Sequence, residues 1–283
     1  MSIRKISRIT KSNPTIEGAG VHLYRVFGNH DTKLLDPFLL LDDFHSENPK
    51  DYMAGFPWHP HRGIETVTYM IHGSVEHGDS IGNSGVIQDG DVQWMTAGGG
   101  IIHQEMPAKT PGMMQGFQLW VNLPKKDKMM EPRYRDVAAG AIPEVSLDNG
   151  VKIKVISGSV QDTEGPVQDI VVDIEYLDVE VPPNTEFDLN VKPGYTVFAY
   201  VFGGSGYFAE DKKKPMEKGH LILFDDGDTI KITTKDEHLR FLLASGQPLR
   251  EPIAWYGPIV MNTQEELDLA FTEYRNGTFI KHR

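Results

Sequence analysis

The chain has 283 residues, of which 39% are hydrophobic and 24% charged, a globular composition that excludes disorder and collagen-like order and suits one large domain or two of ordinary size. Its 28 basic and 40 acidic side chains leave a formal charge of −12, which disfavours direct binding to nucleic acid phosphates. No apolar run approaches the roughly 20 residues that span a bilayer, and the opening MSIRKISRIT has no signal-peptide core, so no membrane association and a cytoplasmic address are expected.

Most segments alternate with period two and break at Gly, Asn, Asp or Pro, the pattern of antiparallel strands. The alternation predicts strands over residues 3–9, 21–27 and 66–71, then over 151–156, 171–181, 196–202 and 239–244. The strand at the extreme N-terminus could pair in either half. One helix is predicted, from Gln264 to Arg275. Thr263 and Glu266 form its capping box, Leu267, Ala270, Phe271 and Tyr274 its apolar stripe, and Gly277 suits its exit. Many short strands with Gly-rich turns place the chain in the all-β class, as sandwiches or barrels.

A weak internal repeat suggests two of them. Thr68-Tyr-Met-Ile-His-Gly73 precedes Gln88-Asp-Gly-Asp-Val-Gln-Trp94, and Phe198-Ala-Tyr-Val-Phe-Gly203 precedes Glu217-Lys-Gly-His-Leu-Ile-Leu223. Gly73 and Gly203 are 130 residues apart, and Gly90 and Gly219 are 129 apart. Two tandem antiparallel β-barrels with a short C-terminal helix would explain this. The join falls in the polar stretch around residues 125–135, which gives domains 1–132 and 133–283.

Cysteine is absent, so disulfides, thiolate nucleophiles, zinc fingers and Fe–S clusters are excluded. Any metal must be held by imidazole and carboxylate. The informative block is Gly55-Phe-Pro-Trp-His-Pro-His61-Arg-Gly-Ile-Glu65, followed by Gly98-Gly-Gly-Ile-Ile-His103-Gln-Glu105. On a strand, residues i and i+2 share a face. His59 and His61 therefore point together, as do His103 and Glu105. An isolated HxH pair is a weak signal, but a second donor pair with the same spacing strengthens it. Three imidazoles and a carboxylate suit Fe, Mn, Ni, Cu or Zn and disfavour Mg or Ca, which want oxygen. Pro60 has no N–H, which calls for a sheet edge, a strand start or a bulge.

The segments Asp36-Pro-Phe-Leu-Leu-Leu-Asp-Asp-Phe-His45, Phe56-Pro-Trp-His-Pro-His-Arg-Gly-Ile-Glu-Thr-Val67, Asp91-Val-Gln-Trp-Met-Thr-Ala-Gly98 and Ile102-His-Gln-Glu-Met-Pro107 resemble the pirin family of the cupin superfamily. Phe117-Gln-Leu-Trp-Val-Asn-Leu-Pro124 and Tyr256-Gly-Pro-Ile-Val-Met-Asn-Thr263 extend the resemblance over essentially the whole chain. It implies a bicupin, two jelly-roll barrels with one mononuclear transition metal, usually iron and here expected as Fe(II), in the N-terminal barrel. Carried over by position, the metal ligands are His59, His61, His103 and Glu105. The general cupin pattern would offer Glu65 instead, which is read here as supporting or structural. Shifting His59 and His61 by about 130 lands on Leu189 and Val191, and shifting His103 and Glu105 by 129 lands on Ile232 and Thr234. The second barrel is therefore expected to be metal-free with a packed interior. His220 and His238 are isolated and are expected in structural or surface roles.

Three His and one Glu would leave about two of six octahedral positions open, as a catalytic site requires. The resemblance implies quercetin 2,3-dioxygenase activity, in which O2 opens the central flavonol ring and carbon monoxide leaves. Glu105 would act as general base toward the flavonol 3-hydroxyl. O2 and a flavonol-like molecule are the expected small-molecule partners. Phe44, Phe56, Trp58, Met70, Trp94 and Met95 are candidates for the slot wall, though packing is the expected role of most buried aromatics. Gly98-Gly99-Gly100 is read as either a close approach to the cavity or a turn, and Arg62 as a surface or supporting salt-bridge residue. The same resemblance carries a rival reading: an iron-dependent, redox-sensing regulator that binds a protein partner. A different dioxygenase substrate is a third, because fold and metal do not fix specificity. A monomer is the default expectation.

Overall fold

The computed structural model describes residues 2–108, 112–209 and 214–282. Its strands form two compact units that interleave in sequence. One comprises the chain up to Ser12, Leu34–Asp36 and Gly140–Pro248; the other comprises Asn13–Lys33, Pro37–Ala139 and the chain from Leu249 onward. We call these the C-terminal and N-terminal barrels. This partition differs from a single join near residue 133 at both ends of the chain. Ile6–Lys11 pairs with His220–Phe224 and completes an edge of the C-terminal barrel. A hairpin, Ala254–Tyr256 with Ile259–Met261, and the helix Gln264–Arg275 return to the N-terminal barrel.

The C-terminal barrel is built on a sheet running Ile6–Lys11, His220–Phe224, Thr196–Gly206, Leu239–Gly246, Ile174–Val181, Lys152–Ser157 and Glu144–Ser146. The pairings are antiparallel. Alternate residues of these strands, Val155, Leu177, Val179, Phe241 and Leu243 among them, fill one core together with Phe187, Leu189 and Ile232. A smaller pair, Glu186–Asn190 with Thr229–Thr233, sets Phe187 opposite Ile232 and Leu189 opposite Ile230.

The N-terminal barrel packs a seven-stranded sheet against a four-stranded one. The larger runs Arg133–Val137, Val92–Thr96, Ile64–His72, Met114–Asn122, Phe38–Ser46, Val21–Phe27 and Asn13–Glu17; the smaller runs Phe56–His61, Ile101–Pro107, Val75–Asp79 and Ser84–Ile87. Its smaller sheet sets His59 opposite His103 and His61 opposite Ile101. By pairing, then, His59 corresponds to Phe187 and His61 to Leu189, while His103 keeps Ile232. The shift of 130 placed the first pair two residues too far on, because loops of unequal length separate the strands. In either alignment the histidine positions of one barrel are apolar core in the other, while Glu105 falls on the buried hydroxyl residue Thr234. Among the described residues no helix is long and apolar enough to cross a membrane.

Candidate metal centre

Among the described residues, Phe56–His61 lies at the edge of the four-stranded sheet and pairs only with Ile101–Pro107. Pro60 is tolerated there because its missing N–H faces no second strand. Gly55 enters the strand at a φ of +60°, and a Cβ there would lie 2.9 Å from the Glu105 carbonyl oxygen. The chain can therefore turn into this edge only with glycine at that position.

The three imidazoles converge as the i, i+2 spacing requires. His59, His61 and His103 each offer a ring nitrogen, and these atoms lie within 4.8 Å of one another. Two backbone carbonyls fix the tautomers. The Nδ1–H of His59 donates to the Pro57 carbonyl at 2.9 Å, and that of His61 to the Pro258 carbonyl at 3.1 Å. Each neutral ring then carries its one proton on Nδ1, so the two Nε2 atoms, 3.1 Å apart, face each other with bare lone pairs. Among the described residues, neither buried ring nitrogen of His103 has a hydrogen-bond partner. Burial also pushes His61 and His103 well below the usual imidazole range, and His59 below it. Neutral, outwardly anchored imidazoles with unshared lone pairs aimed at one point are the arrangement a transition-metal ion satisfies.

Glu105 shares the buried face of its strand with His103 but lies past an irregularity in register, opposite Phe56. Its carboxyl stands outside the imidazole trio. Oε1 accepts from the Thr68 hydroxyl at 3.0 Å, and burial raises the group to about 7 against the lowering effect of that bond. Glu65 is fully buried on the opposite face of its strand from Thr68 and accepts from Thr96 Oγ1 at 2.6 Å. Odd and even positions of that strand point to opposite sides, so Glu65 does not reach the cavity.

His59, His61 and Glu105 border a cavity of about 650 Å³ within the N-terminal barrel. Of the candidate wall residues, Phe44 and Phe56 line it. Met70 and Met95 belong to separate core clusters, Trp94 is wholly buried, and Trp58 is 53% exposed. The sequence reading missed Trp120, whose ring stands edge-on to His61 with centroids 5.0 Å apart, and Trp255 behind it. Period two from Gln118, inside a quoted motif, could have found Trp120; nothing local pointed to Trp255 or to the Pro258 carbonyl.

Of its two readings, Arg62 fits the supporting salt-bridge residue and not the surface one. It is 2% exposed, with Nη1 at 2.7 Å from Glu273 Oε2, Nη2 donating to the Phe279 carbonyl at 2.7 Å, and its guanidinium 4.2 Å from the centre of the Phe279 ring. Lys128, also missed, is buried and donates to the carbonyls of Gly63 and Val260 and to Asn122 Oδ1. Gly98 and Gly100 take positive φ and press on the Met130 and Phe279 backbones rather than on the cavity. In the other barrel, His220 is half-buried and bonded to the Glu217 backbone, and His238 is exposed.

Two family models match the chain: "Pirin" over residues 20–121 and "Pirin C-terminal cupin domain" over 176–280. A pirin-like protein of Caulobacter vibrioides is 42% identical, with 99% of this chain and 100% of that protein aligned. A Pseudomonas aeruginosa protein provisionally named a quercetin 2,3-dioxygenase is 41% identical, over 97% of each chain. The crystal structure of a quercetin 2,3-dioxygenase from Acinetobacter baumannii superimposes with a TM-score of 0.91 at 33% identity, covering 98% of this chain and 99% of that one.

Proposed function

Because the chain belongs to the pirin family of two-barrel cupin proteins, we propose that it is a quercetin 2,3-dioxygenase, opening the central flavonol ring with O2 and releasing carbon monoxide. One observation carries this reading: three imidazoles, two of them tautomer-fixed, meet beside a large, mainly apolar cavity with an aromatic wall. His59, His61, His103 and Glu105 are the proposed ligands of one transition-metal ion, Fe(II) by preference. When bound, the ion supplies Lewis acidity toward the flavonol 3-hydroxyl and a path for electrons to O2.

The chain's own residues do the rest. The carbonyls of Pro57 and Pro258 hold His59 and His61 with Nε2 toward the site. Thr68 grips Glu105 through Oε1, which leaves Oε2 for the donor set or for the substrate proton. Phe44, Trp120 and Trp255 offer flat faces that hold fused rings and displace water.

Oxygen uptake and carbon monoxide release from quercetin by the Fe(II)-loaded protein test the proposal. His61→Ala should lose both by at least about a hundredfold, since its imidazole is both ligand and wall. If the fully loaded protein leaves flavonols untouched while a protein partner is captured in one redox state only, the regulatory reading replaces this one.

A further inference from the structure

An asparagine followed by glycine loses its side-chain ammonia readily without an enzyme, because no Cβ on the glycine hinders the approach of its nitrogen to the asparagine Cγ. The chain contains two such dipeptides, Asn149-Gly150 and Asn276-Gly277, and the fold holds them differently. Asn149 sits in a closed turn. Its Nδ2 donates to the Glu186 carbonyl at 3.0 Å, and its Oδ1 accepts from Val151 N at 3.3 Å. The Gly150 N–H donates to the Leu147 carbonyl at 2.9 Å. Both the side chain under attack and the attacking nitrogen are held in place.

Asn276 caps the C-terminal end of the helix Gln264–Arg275. It is exposed, as are Gly277 and Thr278. Among the described residues its side chain makes no hydrogen bond. Gly277 turns at a φ of +70° with nothing within 4 Å of where a Cβ would stand, and its N–H reaches the Tyr274 carbonyl only at 3.3 Å. The helix end is closed mainly by the next amide, Thr278 N to the Glu273 carbonyl at 2.9 Å, the outer bond of a Schellman motif. The residues this closure sets in place stand on either side of it. Glu273 accepts from Arg62 on one carboxylate oxygen and from Lys281 on the other. Phe279 gives Arg62 its carbonyl and its ring face, and Arg62 adjoins His61.

We propose that Asn276 is a site of spontaneous deamidation, and that the isoaspartate formed there loosens the Arg62 contacts that hold the strand of His59 and His61. The Gly277 nitrogen attacks Asn276 Cγ; a C–N bond forms, the bond from Cγ to Nδ2 breaks, and ammonia leaves with the amide proton. Water then opens the cyclic imide. Opening at Cγ gives aspartate. Opening at the former backbone carbonyl gives isoaspartate, whose chain runs through Cβ and Cγ. No oxidant or reductant takes part. Isoaspartate inserts one more carbon–carbon bond, about 1.5 Å, between the helix and Phe279. It also places a carboxylate at the helix C-terminus, where the macrodipole disfavours negative charge. Both changes oppose the bond from Thr278 to Glu273. The modification is independent of the reaction proposed above, and only its effect on metal binding rests on that ligand set.

The test is to age the metal-free, full-length protein in warm, mildly alkaline buffer and to map its peptides by mass spectrometry. Isoaspartate should accumulate about tenfold faster at Asn276 than at Asn149, the worth of the hydrogen bonds that Asn149 must break first. The isoaspartate form carries an added negative charge and separates by anion exchange. It should unfold at lower urea than fresh protein and bind Ni(II) severalfold more weakly by calorimetry. Asn276→Gln, whose longer side chain cyclises far more slowly, should keep both fresh values after the same treatment. Deamidation as fast at Asn149 as at Asn276, or at neither, overturns the site. Isoaspartate at position 276 with urea midpoint and Ni(II) affinity unchanged overturns its effect on the ligand strand. Fresh protein that binds no Ni(II) overturns the ligand set instead, and the urea midpoint alone then decides whether the Arg62 contacts have loosened.

Discussion

Burial holds the Glu105 carboxyl at about 7 against 4.5 for the unfolded chain, opposed only by the Thr68 hydrogen bond. Between those values the folded state keeps a proton that the unfolded state has released. Glu105's contribution to stability is therefore whole below 4.5 and lost as pH rises through about 7. His59, His61 and His103 are shifted downward, so in the metal-free protein they add stability as pH rises over an overlapping window. The raw profile mixes the two effects, but the difference from Glu105→Gln separates them. We expect metal-free Glu105→Gln to match the wild type near pH 4.5 and to exceed it by about 3 kcal/mol above the folded value. Urea unfolding across that range measures this, and a pH-independent difference would refute it. Thr68→Val removes the one bond favouring the ionised form and should widen the gap. At this scale the sequence told much: period two alone aims His59 with His61 and His103 with Glu105. What it could not tell is that Glu105 also accepts from Thr68 on the facing sheet, since that depends on a local break in register.

The strand that carries His59 and His61 is held by elements far away in sequence. His61 is anchored by the Pro258 carbonyl across 197 residues, and Lys128 reaches Val260 across 132. A Cβ on Gly63 would sit 1.9 Å from the Val260 carbonyl oxygen, at a φ of +77°, so the hairpin can come this close only because position 63 is glycine. Arg62, next to His61, fastens the C-terminal helix through Glu273. Removing one partner of a buried ion pair strands the other charge, so Glu273→Gln should destabilise the protein by about 3 kcal/mol in urea unfolding. It should also weaken Ni(II) binding, measured by calorimetry, through loosening of the Pro258 contact. Unchanged metal affinity in a destabilised variant would show that helix and ligand strand are energetically separate. The helix itself was legible, because its capping box spans only three residues: Thr263 Oγ1 accepts from Glu266 N at 3.2 Å, and Thr263 N donates to Glu266 Oε2 at 3.1 Å. Its docking was not legible. The Leu267 and Ala270 stripe announces a partner surface without saying which one.

Two barrels of similar plan have diverged at one pair of strands. Opposed His59 and His103 in one correspond to opposed Phe187 and Ile232 in the other, where the space is filled by a continuous apolar core. The faint repeat made this duplication readable, since barrel topology recurs with the spacing of its Gly turns. The interleaving was unreadable, because alternation fixes which face of a strand is buried and not which sheet edge it joins. That difference has a consequence for dissection at residue 132. A fragment of residues 1–132 would lack the carbonyl that anchors His61, the carboxylate that neutralises Arg62 and one of the three acceptors of Lys128. The fragment would also lose Ile259, Val260, Met261 and Phe279, apolar side chains buried in the intact chain, against a total margin of about 5–15 kcal/mol. The complementary fragment would lack Ile6–Lys11 and expose the edge of His220–Phe224, whose Ile222 and Phe224 are buried in the intact chain. An unpaired apolar edge strand is a template for association. We therefore expect the first fragment to show no cooperative unfolding transition by circular dichroism and no Ni(II) binding, and the second to elute as aggregate in size-exclusion chromatography. A first fragment that unfolds cooperatively and binds Ni(II) as the full chain does would mean that the C-terminal segment only covers the site, and that the ligand strand holds its geometry unaided.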